Sequence, residues 1–207
     1  TTLKTYLSDD QNSSKKLYIK YMDVVITERC SMKCIDCANL MQYYVSPKNS
    51  DLNLLFKSIT KSMNAIDHLD EFRVLGGEPF MNKEIHKIIK FLLTIEKVKK
   101  IAIYTNATIV PKGLNLECLK NDKVMLDITH YKKYPISARN HPKLIEACNL
   151  NNIKYNTHTA DTWQDSGRII KYERTENELK EIFANCCVGD VLTILNGKMY
   201  RCPFSAN

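Results

Sequence analysis

The sequence predicts an α/β fold, with parallel strands closed or partly closed into a barrel. Two observations carry this reading. Short β-branched or aromatic runs alternate with helically spaced apolar segments from residue 17 to residue 160, the rhythm of βα units. Cysteine- and glycine-bearing motifs then follow the first two strands directly, at Cys30 and at Gly76. Parallel sheets gather their chemistry at the C-terminal ends of the strands.

Leu17–Thr27 reads as the first strand. A helix follows over Asp51–Leu69, from the spacing of Leu52, Leu55, Ile59, Met63 and Ile66. Phe72–Leu75 is a short strand ending at Gly76–Gly77, and Asn82 is the expected N-cap of a helix carrying Ile85, Ile88, Ile89, Leu92 and Leu93. Ile101–Tyr104 and Val124–Thr129 are strands, with a short helix over Leu114–Leu119 between them. A helix over Pro142–Leu150 precedes a fifth strand, Ile153–Thr157.

The rhythm changes after residue 160. Asp161–Lys171 reads as a loop with room for one strand, and Thr175-Glu-Asn-Glu178 is a capping box opening a helix to Ala184. Val191–Leu195 and Lys198–Arg201 flank Asn196–Gly197, a hairpin signal. The expected organisation is a polar segment (1–16), a barrel (17–160), a connecting loop and helix (161–185) and a cysteine-bearing hairpin segment (186–207). The chain has no initiating Met and stops soon after Cys202, so it is expected to be a piece of a longer protein.

With 207 residues, 44% hydrophobic and 26% charged, the chain has the composition of a soluble globular domain. The N-terminus lacks a signal-peptide core, and the apolar run Ile85–Ile95 is interrupted by His86, Lys87 and Lys90, so no membrane span is expected. A cytoplasmic location follows. The net charge of +7 gathers in small lysine groups such as Lys15–Lys16 and Lys132–Lys133. These read as a solvated face, because no aromatic-interleaved basic stripe points to nucleic acid.

Eight cysteines are many for a reduced compartment, where clustered thiols serve metal or redox chemistry. Cys118 and Cys148 stand alone on helical segments and are expected to be buried thiols. Cys30, Cys34 and Cys37 form C-x3-C-x2-C on one loop. Three thiolates hold three irons of a cubane and leave the fourth iron open to a non-protein ligand. Zinc is the alternative, but it needs a fourth ligand, and the usual C-x2-C…C-x2-C or C…H-x3-H spacing is absent; His68 and His86 are the histidines to consider.

With Gly76–Gly77–Glu78–Pro79 ending the second strand, these residues resemble the radical S-adenosylmethionine (SAM) superfamily. The resemblance covers roughly residues 18–160. It implies a partial (β/α)6 barrel, a [4Fe–4S] cluster on Cys30, Cys34 and Cys37, and SAM chelating the open iron. The Gly76–Glu78 edge, with Pro79 behind it, is then expected to pair with the SAM amino group, Glu78 offering negative charge. Thr105–Asn106 resembles the family's TN element near SAM. Asp127 and His130, and Asn156 and His158, stand where the family places polar SAM or substrate contacts. Asp36 replaces the aromatic residue frequent before the third cysteine, so the adenine contact must differ. A catalytic base is not assigned among Asp127, His130, Tyr131 and His158.

Cys187 and Cys202 bracket Gly197 as C-x9-G-x4-C, similar to the opening of the SPASM or twitch auxiliary-cluster modules. This implies a second Fe–S cluster on Cys187 and Cys202, with Cys186 a further candidate. The remaining cysteines of such a module lie beyond residue 207, or the module is reduced. The resemblance implies SAM, a flavodoxin- or ferredoxin-like reductant, and a peptide or sugar- or cyclitol-like substrate. The alternative is a non-catalytic Fe–S protein of electron transfer or sensing on a degenerate barrel.

Overall fold

A computed structural model describes residues 16–160, 170–186, 188–189 and 191–207. Its strands are β1 (Tyr18–Val25), β2 (His68–Leu75), β3 (Val98–Thr105), β4 (Val124–His130), β5 (Lys154–Thr159), β6 (Val191–Leu195) and β7 (Lys198–Tyr200). They form one sheet in the order β5-β4-β3-β2-β1-β6-β7. All neighbouring pairs are parallel except β6 with β7. The helices are α1 (Leu52–Asn64), α2 (Ile85–Leu93), α3 (Leu114–Glu117), α4 (Pro135–Leu150), α5 (Glu176–Ala184) and α6 (Pro203–Ala206).

Side chains alternate between the two faces of a strand. Met22, Val24, Phe72, Val74, Ile101, Ile103, Leu126 and Ile128 turn to one face. There they pack with Leu55 and Ile59 of α1, Ile88, Ile89 and Leu92 of α2, and Leu144 of α4. Removing such side chains from water is the main stabilising term, about 1.5–3 kcal/mol each. The other face carries Asp23, Glu71, Arg73, Tyr104, Asp127 and Thr193. It is polar where the first is apolar.

Several predicted boundaries move. The first helix ends at Asn64 and His68 already pairs with Tyr18, so Leu69 belongs to β2; its burial satisfies either pattern, and pairing with β1 decides. Asn82 does not cap α2. Glu84 holds the N-cap position, and Asn82 accepts the Glu84 amide at 3.0 Å while donating to the Ile26 carbonyl at 2.9 Å. The fourth helix starts at Pro135 rather than Pro142, which lies inside it. Proline suits a first turn, and Ser137 Oγ anchors this turn by donating to the Asn106 carbonyl at 2.8 Å. The Thr175–Glu178 capping box forms in both directions. Residues 161–169 of the expected loop lie outside the described residues.

The Asn196–Gly197 hairpin joins the same sheet, β6 running beside β1 with Thr193 opposite Asp23. Both turn residues take positive φ, 49° and 80°, the backbone of a two-residue hairpin turn. No helix among the described residues is long and apolar enough to cross a membrane.

Candidate cluster and cofactor site

The two sequence motifs are bound to each other through their backbones. Beyond β1 the chain runs through Thr27, Glu28 and Arg29 to Cys30, beside the residues that follow β2. Gly77 donates its amide to the Thr27 carbonyl at 3.0 Å, and Glu78 donates to the Arg29 carbonyl at 2.8 Å. A Cβ on Gly77 would overlap the Arg29 carbonyl and stand 2.6 Å from Cys30 Cβ. A Cβ on Gly76 would meet the Thr27 carbonyl oxygen and lie 3.1 Å from the Thr27 nitrogen. Both positions therefore require glycine for close approach. The Gly76 and Gly77 carbonyls take no hydrogen bond from the described residues.

Glu78 is fully buried, and its carboxylate is engaged inside the protein. It accepts from Thr105 Oγ1 at 2.9 Å, the Asn106 amide at 2.8 Å and the Phe80 amide at 3.1 Å. The carboxylate thereby braces the ends of β2 and β3 against each other. Burial outweighs these donors and pushes the Glu78 pKa up to about 7. Pro79 follows it, buried, in a single 3-10 turn.

Asn106 carries the brace on to the cysteine loop. Its Nδ2 donates toward Cys30 Sγ at 3.8 Å and Ser31 Oγ at 3.3 Å. Its Oδ1 accepts from the Thr108 amide at 3.0 Å and hydroxyl at 2.6 Å. Tyr134 Oη donates to the Ser31 carbonyl at 2.7 Å. Sequence reading located Thr105 and Asn106 but missed Ser31, Thr108 and Tyr134, which no local pattern singles out.

Cys30, Cys34 and Cys37 are half-buried and free. Burial raises the Cys30 pKa to about 11, and the neighbouring Glu78, Cys34 and Cys37 add to the rise. Burial and then Cys37 raise that of Cys34. Burial raises the Tyr131 pKa, and the three cysteines and Glu78 add to the rise. Among the described residues no three His, Cys, Asp or Glu side chains gather as ligands of a single metal ion. A cubane places each thiolate on a different iron, so its thiols frame a volume rather than converge on a point. Soft thiolate donors on one loop fit that group.

The other predicted residues separate into two places. Asp127, at the polar face of β4, lies 3.5 Å from His158 Nδ1; burial raises its pKa, and His158 opposes the rise. His158 Nε2 stands 3.0 Å from Thr129 Oγ1. His130 leaves this face and stacks on His141 of α4 at 3.9 Å between ring centres. Cys202 is half-buried at the start of α6, and Cys186 is exposed beyond α5. Cys187 lies outside the described residues. The hairpin is latched to the first cysteine loop: Glu28 accepts from Asn196 Nδ2 at 3.3 Å and from the Lys48 amide at 3.0 Å. Tyr44 Oη donates to Asn207 Oδ1. A cavity of about 390 Å³ lies at this junction, lined by Glu28, Tyr43, Tyr44, Asn196 and Tyr200 among others. The larger cavity, about 430 Å³ beside Met63, Phe91 and Lys97, lies away from the cysteines.

Comparison with known proteins agrees with this arrangement. The family described as 4Fe-4S single cluster domain matches residues 19–140. The GTP 3',8-cyclase of Clostridium acetobutylicum is 32% identical over 113 residues, covering 53% of this chain and 35% of the relative. That of Campylobacter jejuni is 26% identical over 176 residues, covering 79% and 54%. The chain thus spans about half or less of these relatives' length. BtrN in complex with AdoMet and 2-DOIA superposes with a TM-score of 0.63 at 16% identity, over 91% of this chain and 75% of that one. SuiB of Streptococcus suis bound to precursor peptide SuiA gives 0.55 at 15% identity, over 89% and 42%. These likenesses establish the shared fold. With its cysteine triad bound to a glycine-rich strand end on a parallel sheet, the chain belongs to the 4Fe-4S single cluster domain family and so to the radical SAM superfamily.

Proposed function

We propose that this chain is the core of an enzyme that reductively cleaves SAM and abstracts a hydrogen from a peptide or from a sugar- or cyclitol-like alcohol. The observation that carries it is the backbone pairing of Gly77 and Glu78 with Thr27 and Arg29, which fixes the glycine edge against the cysteine loop. Cys30, Cys34 and Cys37 hold the cluster. When bound, the cluster and SAM supply an electron and a 5'-deoxyadenosyl radical for hydrogen abstraction, chemistry that belongs to the cofactors.

The chain's own residues bind and orient. The carbonyls of Gly76 and Gly77 offer acceptors to the SAM ammonium, and Glu78, braced by Thr105 and Asn106, holds that edge in place. Asn106 and Tyr134 fix the loop around Cys30 and Ser31. Asp127 lines the open face as a polar contact for SAM or substrate. Cys187 and Cys202, with Cys186 a further candidate, hold a second Fe–S cluster in a SPASM- or twitch-like segment spanning 186–207; the Glu28–Asn196 latch supports this by tying that segment to the first loop. A flavodoxin- or ferredoxin-like protein supplies the electron, and the enzyme acts in the cytoplasm. AdoMet bound to BtrN supports the cofactor, and the precursor peptide bound to SuiB supports the peptide substrate.

The test is anaerobic reconstitution with iron and sulfide, addition of SAM and dithionite, and chromatography for 5'-deoxyadenosine. Its formation supports the proposal. Its absence from fully loaded protein refutes it in favour of a non-catalytic Fe–S protein.

A further inference from the structure

The polar face of the sheet carries a guanidinium whose terminal nitrogens take no hydrogen-bond partner among the described residues. Arg73 of β2 sits opposite Asp23 of β1, its Nε 3.3 Å from Asp23 Oδ1. The ring of Tyr21 lies 5.0 Å from its guanidinium carbon, and that of Tyr104 lies 5.2 Å away. These contacts fix the plane and engage the Nε edge. Among the described residues nothing hydrogen-bonds its two terminal nitrogens, and Nε lacks a well-aligned partner. The Arg73 side chain is only 20% exposed. A partly buried guanidinium held in plane, with its terminal nitrogens open to solvent and free of protein acceptors, is preorganised to take an oxyanion through two parallel N–H bonds.

The neighbouring charges are already matched. Glu71 pairs with Lys100 and accepts from Tyr104 Oη at 3.1 Å. Asp127 faces His158, and Asp23 faces Arg73. No strong positive field surrounds Arg73, so recognition here is short-range, through two parallel N–H bonds to a planar or tetrahedral oxyanion. Position gives the fork its purpose. Arg73 is three residues before Gly76, about 10 Å along the strand, on the open face beneath the glycine edge.

We infer that Arg73 is a specificity-determining residue whose fork binds a carboxylate or phosphate group of the substrate, anchoring it on the open face below SAM. The inference rests on the radical SAM reading of that face. It adds a requirement absent from that reading: the peptide or polyol that reacts bears an oxyanion.

Equilibrium dialysis on reconstituted, SAM-loaded protein tests it with three probes: pyrophosphate for phosphate, succinate for carboxylate and myo-inositol as an uncharged control. One anion binds saturably at a single site. Arg73→Lys, which keeps the charge and loses the fork, weakens that binding at least about tenfold. Asp23→Asn, which removes the competing carboxylate at nearly constant shape, strengthens it. Pyrophosphate and succinate identify which oxyanion is used. Equal binding by wild type and Arg73→Lys overturns the inference, as does inositol binding without anion binding, or no binding of any probe. Anion binding seen only without SAM also overturns it, since Arg73 then serves SAM's own carboxylate. If Arg73→Lys does not fold, the direction of change in Asp23→Asn decides. SAM cleavage is scored separately by 5'-deoxyadenosine on dithionite, so failure of the radical SAM reading is distinguishable from failure of the fork.

Discussion

Gly77→Ala tests whether the two motifs form one unit. The added methyl group would overlap the Arg29 carbonyl oxygen, with 2.5 Å to its carbon and 2.6 Å to Cys30 Cβ. Carbon atoms in contact prefer about 3.5–4.0 Å, so the cysteine loop must retreat by about 1 Å. The Gly77–Thr27 and Glu78–Arg29 bonds, now 3.0 and 2.8 Å, then stretch beyond hydrogen-bonding range. Each lost bond costs about 1 kcal/mol, and overpacking adds about 1–3 kcal/mol. The total, about 3–5 kcal/mol, lowers Tm by roughly 10 °C for a domain of this size. Because the clash falls on Cys30 itself, iron bound per chain falls too. Anaerobic thermal unfolding and iron assay of the reconstituted variant measure both effects. A variant with wild-type Tm and wild-type iron would refute the claim that the glycine edge positions the cysteine loop.

Three further outcomes are expected. Cys34→Ala abolishes 5'-deoxyadenosine formation, because two thiolates do not retain a cubane with an open iron; chromatography of a dithionite reaction checks it. Cys202→Ala lowers iron per chain to about four, the content of one [4Fe–4S] cluster, and unchanged iron would remove Cys202 from the ligands. Asp23, buried beside Arg73 and Glu71, has its pKa raised by burial to about 6, with Arg73 opposing the rise and Glu71 adding to it. The folded state binds this proton more tightly than the unfolded state, so the contribution is full below about pH 4 and is lost as pH rises through 6. Denaturant unfolding from pH 4 to 7 detects a falling component of roughly 3 kcal/mol at most, and Asp23→Asn removes it; an unchanged profile in that variant excludes Asp23 as the source.

The candidate site was legible because it is written in contiguous residues. Cys30, Cys34 and Cys37 share one loop, and Gly76–Glu78 directly follow a run of strand-forming residues. Helix α5 was equally readable, since both halves of its capping box lie within four residues. Boundaries were harder wherever local signals competed. Leu69 satisfies a helical spacing and a strand alternation alike, and Pro142 imitates a helix start although the helix begins a full two turns earlier, at Pro135.

The sequence by itself determined the candidate thiolates and the order of strands and helices, because cysteine spacing and hydrophobic periodicity are properties of short stretches of chain. Only the tertiary structure decided that β6 lies beside β1, that Glu78 is held by Thr105 and Asn106, 27 and 28 residues away, and that Arg73 stands between Tyr21 and Tyr104 with its fork open. These depend on the register between distant strands. That register is selected by burying one whole face of the sheet against the helices, a criterion no local window of residues contains.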